Sequence, residues 1–224
     1  MAIPSKKTDT RLVSYLSKEE IQTLLDAPDP TTRYGIRDRA MLHVGFSCGL
    51  RVSELIGLCM KDLTFYPTPS ILVHGKGRRE RALPLWKETA VVLRAWLAIR
   101  TEAAVPEVFL NARGTQMSRW GFEYILNVHV KKAAKKSPPI LNKKISPHVL
   151  RHSCAMIMLQ ATRDVRKVSL WLGHSSIQTT EIYLQADPSE KSEVIDSMTP
   201  PTLRRGSFRP PDKFIAFLAN RRSP

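Results

Sequence analysis

Ser146-Pro147-His148-Val149-Leu150-Arg151-His152, then Trp171-Leu172-Gly173-His174, then Thr179-Thr180-Glu181-Ile182-Tyr183, is the stretch around which the chain is organised. Ser146-Pro147 predicts a helix start, with serine as N-cap and proline at the first helical position. On that helix His148 and Arg151 stand three residues apart on one face and His152 four from His148, while Ala155, Met156 and Leu159 carry the buried side. Asp164 to Leu172 predicts another helix closed by Gly173, so His174 lies just past a C-terminus, and a short helix over 179–185 carries Tyr183. Together these pieces offer a permanently charged guanidinium, two imidazoles and a phenol. Such a set can hold an anionic phosphate while the tyrosine oxygen attacks it.

Composition agrees with an anionic partner. The 224 residues have room for one well-buried domain, with a second only if it is small. Lys and Arg number 35 against 20 Asp and Glu, a formal net charge of +15. That surplus favours nucleic acid over a merely solvated basic surface, and over an anionic membrane. No apolar run approaches the ~18 residues of a membrane span, and Met1 to Thr10 is polar, unlike a secretory signal. Cys48, Cys59 and Cys154 are odd in number and form no CxxC pair. They read as small core residues of a protein in the reduced cytoplasm.

Working outward, residues 1–13 are polar, basic and expected to be loose. Ser17-Lys18-Glu19-Glu20 is a capping box, followed by an apolar stripe of Ile21, Leu24 and Leu25. A longer helix runs from about Thr32 to Ser47, with Gly49 placed for a left-handed stop. Arg51 and Glu54 follow, three apart on a new helix; alone they are as readily an exposed ion pair worth a few tenths of a kcal/mol. Asp62–Phe65, Ser70–His74 and Glu80–Pro84 read as strands, with Gly75-Lys76-Gly77 as a tight turn between the last two. A lysine between two glycines can be carried close to a ligand, although a solvated turn is the commoner meaning. Trp86 to about Arg100 predicts an amphipathic helix burying Val92, Leu93, Trp96 and Leu97. Glu107–Leu110 predicts a short extended piece, and another helix from about Ser118 has Trp120, Tyr124, Ile125 and Val128 as its apolar face. That helix runs out in Lys131, Lys132, Lys135 and Lys136, which suit its dipole or flanking phosphates, with Lys143 and Lys144 beyond. Residues 198–211 have the composition of a Pro/Arg-rich linker, and Phe214, Ile215, Phe217 and Leu218 predict a terminal apolar helix.

Each chemical signal is weak alone. A single tyrosine usually lies at a core edge with its hydroxyl satisfied. His148 and His152 have metal-helix spacing, but Val149 stands where a zinc peptidase needs glutamate, and no second ligand cluster appears. Nucleotide-binding glycine loops are missing as well. Neither a metal nor a cofactor is implied.

The order of the pieces is specific. Gly49-Leu50-Arg51-Val52-Ser53-Glu54-Leu55, then Gly75-Lys76-Gly77 with Arg81 and Pro84, then His148-x-x-Arg151-His152, then Leu172-Gly173-His174, then Tyr183, resembles the tyrosine recombinase (phage integrase) family over roughly residues 14–190. The resemblance implies that family's catalytic-domain fold, mainly α with a small antiparallel β-sheet, here over 14–197. It implies that Arg51 and Arg151 clamp the non-bridging oxygens of a scissile phosphate. Lys76 would protonate the departing 5′ oxygen, His148 would manage the tyrosine's proton, and His174 would bond the phosphate as it becomes pentavalent. Tyr183 would be the nucleophile of a 3′-phosphotyrosyl intermediate, and Glu54 would support the cluster. The implied partners are double-stranded DNA and further copies of the chain, a tetramer on paired sites, with no membrane and no small-molecule substrate.

Two departures qualify the resemblance. Family members commonly carry an N-terminal DNA-clamping (core-binding) domain, for which the residues ahead of the capping box are too few. Ala161-Thr162-Arg163 stands where members often have a glycine-containing turn, which predicts a small local adjustment. The leading expectation is a DNA-breaking and rejoining recombinase. The alternatives are a non-recombining DNA-binding or regulatory relic and, less well matched, a type IB topoisomerase.

Overall fold

Capping chemistry sets the helix starts. The structure is a computed structural model that describes residues 14–75, 79–100, 104–174, 176 and 178–186. The expected loose N-terminus (1–13), Lys76 and its turn, the 198–211 linker and the Phe214–Leu218 helix lie outside the described residues. Helix α1 (Lys18–Leu25) begins at the expected box: Ser17 Oγ accepts from Glu20 N at 3.2 Å, and Ser17 N donates to Glu20 Oε2 at 2.7 Å. Thr32 Oγ1 caps α2 (Arg33–Ser47) by accepting from Gly35 N at 3.1 Å. Gly49, at φ +56°, ends it. A Cβ there would stand 2.5 Å from Leu172 Cδ2, so the position needs glycine for both its backbone and its space. Short α3 (Val52–Ile56) follows at once with Arg51 as N-cap.

The strands form an antiparallel sheet in the order β1 (Leu63–Thr64), β2 (Ser70–His74), β3 (Glu80–Pro84). The last two match the expected limits. The first is shorter than expected, because Asp62 closes a 3-10 turn in which its Oδ2 accepts from Cys59 N at 2.9 Å. Ile71 pairs with Leu83 and Val73 with Arg81, so one sheet face carries buried Ile71, Val73 and Leu83 together with Arg81.

Helices α4 (Lys87–Ile99), α5 (Arg119–Ala133), α6 (Pro147–Thr162), α7 (Val165–Leu172) and α8 (Gln178–Ala186), with a 3-10 turn over Pro138–Asn142 between α5 and α6, complete the elements of the described chain. Helix α2 is the central element, buried on all sides from Ala40 onward and packed on α4 and α6. A second, smaller core joins Ala155, Met156 and Leu159 of α6 to Val168 and Leu172 of α7 and Tyr183 of α8. Each fully buried aliphatic side chain in these cores contributes about 1.5–3 kcal/mol.

Several expectations are corrected. On α5 the buried stripe is Phe122, Ile125, Leu126, His129, Val130 and Ala133, while Trp120 and Tyr124 are exposed. In the sequence the stripe is obscured because His129 occupies one of its positions, its Nε2 satisfied by Asp38 Oδ2 at 2.9 Å. On α4, Thr89 and Ala90 are buried while Val92 and Leu97 are only half-buried. Residues Glu107–Leu110 contribute isolated bridges, Cys59 with Glu107 and Leu110 with Gln116, and no strand. Ser146 occupies the N-cap of α6 but makes no side-chain capping bond, which leaves Pro147 as the start signal. Cys48 and Cys154 are core residues, but Cys59 is half-exposed. The break after α6 is resolved by Arg163 itself, which adopts φ +52° where a glycine would be the ordinary choice. Among the described residues no helix is long and apolar enough to cross a membrane.

Candidate active site

The α2–α3 junction builds the first half of the site. Because Gly49 turns the chain, Arg51 N donates to Glu54 Oε2 at 3.0 Å and Arg51 Nη1 reaches Glu54 Oε1 at 2.9 Å. The Glu54 side chain is only 4% exposed, so this is no solvated surface pair. Arg81 comes in from β3 and bonds both carboxylate oxygens, Nη2 to Oε2 at 2.9 Å and Nη1 to Oε1 at 3.2 Å. Burial alone would raise the Glu54 carboxyl; the hydrogen bonds from Arg81 and Arg51 N and the charge of Arg81 outweigh it and hold the group below the usual carboxylate range.

Arg151 lies behind this pair. It is buried, with Nη1 donating to Gly49 O at 2.6 Å and Nη2 to Leu172 O at 2.8 Å, and Nη1 stands 4.0 Å from Glu54 Oε2. Burial, then the neighbouring charge of Arg51, pushes it down to about 10, still a cation at neutral pH. Arg51, Glu54, Arg81, His74, Gly173 and His174 line an open cleft of about 1000 Å³.

Helices α6 to α8 supply the second half. His174 follows Gly173, which is left-handed at φ +64°, and Thr180 Oγ1 lies 2.7 Å from its Nδ1. The Tyr183 ring is nearly parallel to His174, with centroids 6.4 Å apart, and its Oη lies 2.8 Å from His152 Nδ1. Burial pushes the Tyr183 phenol up to about 12. Burial, then the charges of His148 and Arg151, brings His152 down to about 4; burial, then Arg151 and the other arginines, does the same to His174. At neutral pH both imidazoles are uncharged, able to accept at one nitrogen and donate at the other.

The structure therefore brings Arg51, Glu54 and His174 to one cleft, with Arg151 buried behind them. Tyr183 is 1% exposed and its ring stacks beside that of His174. His148 is exposed, its ring centroid 6.5 Å from that of His152, and it is His152 that meets the phenol. Lys76 lies outside the described residues. Arg81, His152 and Thr180, to which the sequence assigns no role, also join the candidate site. The signal for Arg81 was available: strand alternation puts it on the face of Leu83, an inward position where arginine is unusual. His152 belongs to the motif His148-x-x-Arg151-His152 and has helical spacing to His148, but neither assigns it a role. Among the described residues no group of three or more His, Cys, Asp or Glu side chains is placed to hold a metal ion.

The mostly helical architecture with its small three-stranded antiparallel sheet is the catalytic-domain fold of the tyrosine recombinases. Residues 14–190 match the phage integrase family, and the chain belongs to that family. Its similar relatives include the Sinorhizobium fredii protein y4rC, 42% identical over 218 residues (97% of this chain, 66% of that protein). Tyrosine recombinase XerC of Myxococcus xanthus is 36% identical over 206 residues (88% of this chain, 66% of that protein). The chain thus spans just under two thirds of the curated relatives it matches. Among solved structures, XerA recombinase superposes with a TM-score of 0.70 at 28% identity, covering 84% of this chain and 66% of that one. XerH in its post-cleavage complex with a palindromic difH substrate gives 0.72 at 25% identity, covering 86% of this chain and 55% of that one.

Proposed function

We propose that this chain is the catalytic part, residues 14–197, of a site-specific recombinase that breaks and rejoins duplex DNA through a 3′-phosphotyrosyl intermediate. The observation that carries the reading is the packing of Arg51, Arg81 and Arg151 around the single carboxylate of Glu54 at a cleft, with Tyr183 and His174 adjoining. Three guanidinium charges against one carboxylate leave an excess suited to the charge of a pentavalent phosphate.

In this mechanism Arg51 and Arg151 hold the non-bridging oxygens. With Thr180 Oγ1–H donating a hydrogen bond to His174 Nδ1, the imidazole is in the tautomer whose Nε2–H donates to phosphate. Tyr183 Oη attacks phosphorus, the bond to the 5′ oxygen breaks, and the phenolic proton passes to the neighbouring imidazole. The geometry favours His152 for that role over His148. Lys76 protonates the departing 5′ oxygen, a role resting on the family resemblance. The 5′-hydroxyl attacks in the reverse step, and because the phosphodiester's energy is kept in the phosphotyrosine, ATP is not consumed. The same reading takes double-stranded DNA as substrate and several copies of the chain on paired sites.

A library of nicked random-sequence duplexes, whose short 3′ fragment diffuses away after cleavage, tests this. Wild type should trap DNA covalently and yield its site on sequencing, Tyr183→Phe should trap none, and trapping should persist in EDTA. An adduct surviving Tyr183→Phe overturns the assignment, and loss of trapping in EDTA overturns the metal-free mechanism.

A further inference from the structure

Arg81 belongs to the hairpin motif, yet the mechanism above gives it no step. It projects from the sheet face that buries Ile71, Val73 and Leu83, where an unpartnered guanidinium is costly. Its donors are well used. Nη1 and Nη2 take the two oxygens of Glu54, and Nε donates to Trp171 O at 3.1 Å, in the last turn of α7. The fit is close: a Cβ on Gly173 would lie 2.9 Å from Arg81 Nη1 and 3.1 Å from its Cδ. One side chain thus ties β3 to α3 and to the end of α7, immediately before His174.

The charge arrangement gives this tie a consequence. Glu54 is buried and lies 2.9 Å from Arg51 and 4.0 Å from Arg151. A carboxylate so placed competes with phosphate for both arginines. Arg81 engages both of its oxygens and so blunts that competition. Remove Arg81, and Glu54 is left to draw Arg151 across a gap already near contact distance, while the support behind His174 is lost.

We propose that Arg81 is a positioning residue for strand cleavage, saturating Glu54 so that Arg51 and Arg151 stay available to the scissile phosphate and holding the α7 end that presents His174. The proposal rests on the recombinase reading. Its test is single-turnover adduct formation at saturating protein on the trapped site, made once with an ordinary scissile phosphate and once with a methylphosphonate, in which methyl replaces one charged oxygen. Arg81→Ala should slow adduct formation on phosphate on the order of 10- to 100-fold. On the neutral methylphosphonate, which asks less of the arginines, the deficit should shrink to within about 3-fold. Arg81→Lys, which keeps the charge but cannot grip both oxygens and Trp171 O, should fall between wild type and Ala on phosphate and converge in the same way. Equal deficits on both substrates indicate a merely structural role and overturn the proposal, as does an undiminished rate. Should Arg81→Ala not fold, Arg81→Lys is judged on the same two substrates by the same criteria. Absence of any wild-type adduct through Tyr183 would instead remove the recombinase reading itself.

Discussion

Arg51 and Arg151 carry the same functional group in different settings, and their substitutions should separate accordingly. The Arg51 side chain is 39% exposed, and without it Arg81 still bonds both Glu54 oxygens, so Arg51→Ala should cost only about 1 kcal/mol of stability. Its effect should fall on cleavage, by on the order of 10²–10³ in rate. Arg151→Ala should lower cleavage at least as much, but it also leaves the carbonyls of Gly49 and Leu172 without their donors. A loss on the order of 3 kcal/mol or more is expected, read as a fall in Tm. Equal Tm values for the two variants would contradict this embedding. The histidines make a pH prediction. His43, His152 and His174 are each brought down to about 4, chiefly by burial. The unfolded chain takes up these protons near pH 6.5 while the folded one refuses them, so stability is full above that value and declines as pH falls toward 4. Tm should drop by about 10 °C or more between pH 7.5 and 4.5. A flat profile would mean that the imidazoles are not held neutral.

At the scale of elements, the site depends on where helices stop. Gly49 ends α2 in the left-handed region and places Arg51 and Glu54 at the start of α3, while its carbonyl receives Arg151. Gly49→Ala should therefore cost about 2 kcal/mol or more, from the backbone conformation and the overlap with Leu172. An unchanged Tm would show that the junction is more pliable than its geometry indicates. Such punctuation was legible in the sequence: the capping box at Ser17, the stops at Gly49 and Gly173, and the limits of β2 and β3 all follow from local chemistry. Faces were harder to read, since packing decides them. Trp120 and Tyr124 look like core residues and are exposed, whereas His129 looks polar and is buried because Asp38 reaches it from α2. The residues of the candidate site were recognisable by type and order, but their partnerships were not. That Tyr183 meets His152, and that Arg81 closes on Glu54, depends on contacts between elements far apart in the chain.

For the whole molecule, a net charge of +15 makes salt dependence the first expectation for DNA binding. With six or more phosphates contacted, affinity should fall on the order of 10³-fold between 50 and 200 mM salt. A near-flat response would point away from a phosphate-dominated interface. Tyr183, buried though it is in this structure, is the residue proposed to join DNA. Tryptic digestion of the trapped adduct, after nuclease trimming, tests that claim most directly by mass spectrometry. Cleavage after Lys167 and Lys191 gives a peptide, 168–191, whose one tyrosine is Tyr183. This peptide should carry the residual nucleotide as a phosphotyrosine diester. A nucleotide found instead on a peptide bearing Tyr15, Tyr34, Tyr66 or Tyr124, or on any serine, would contradict it.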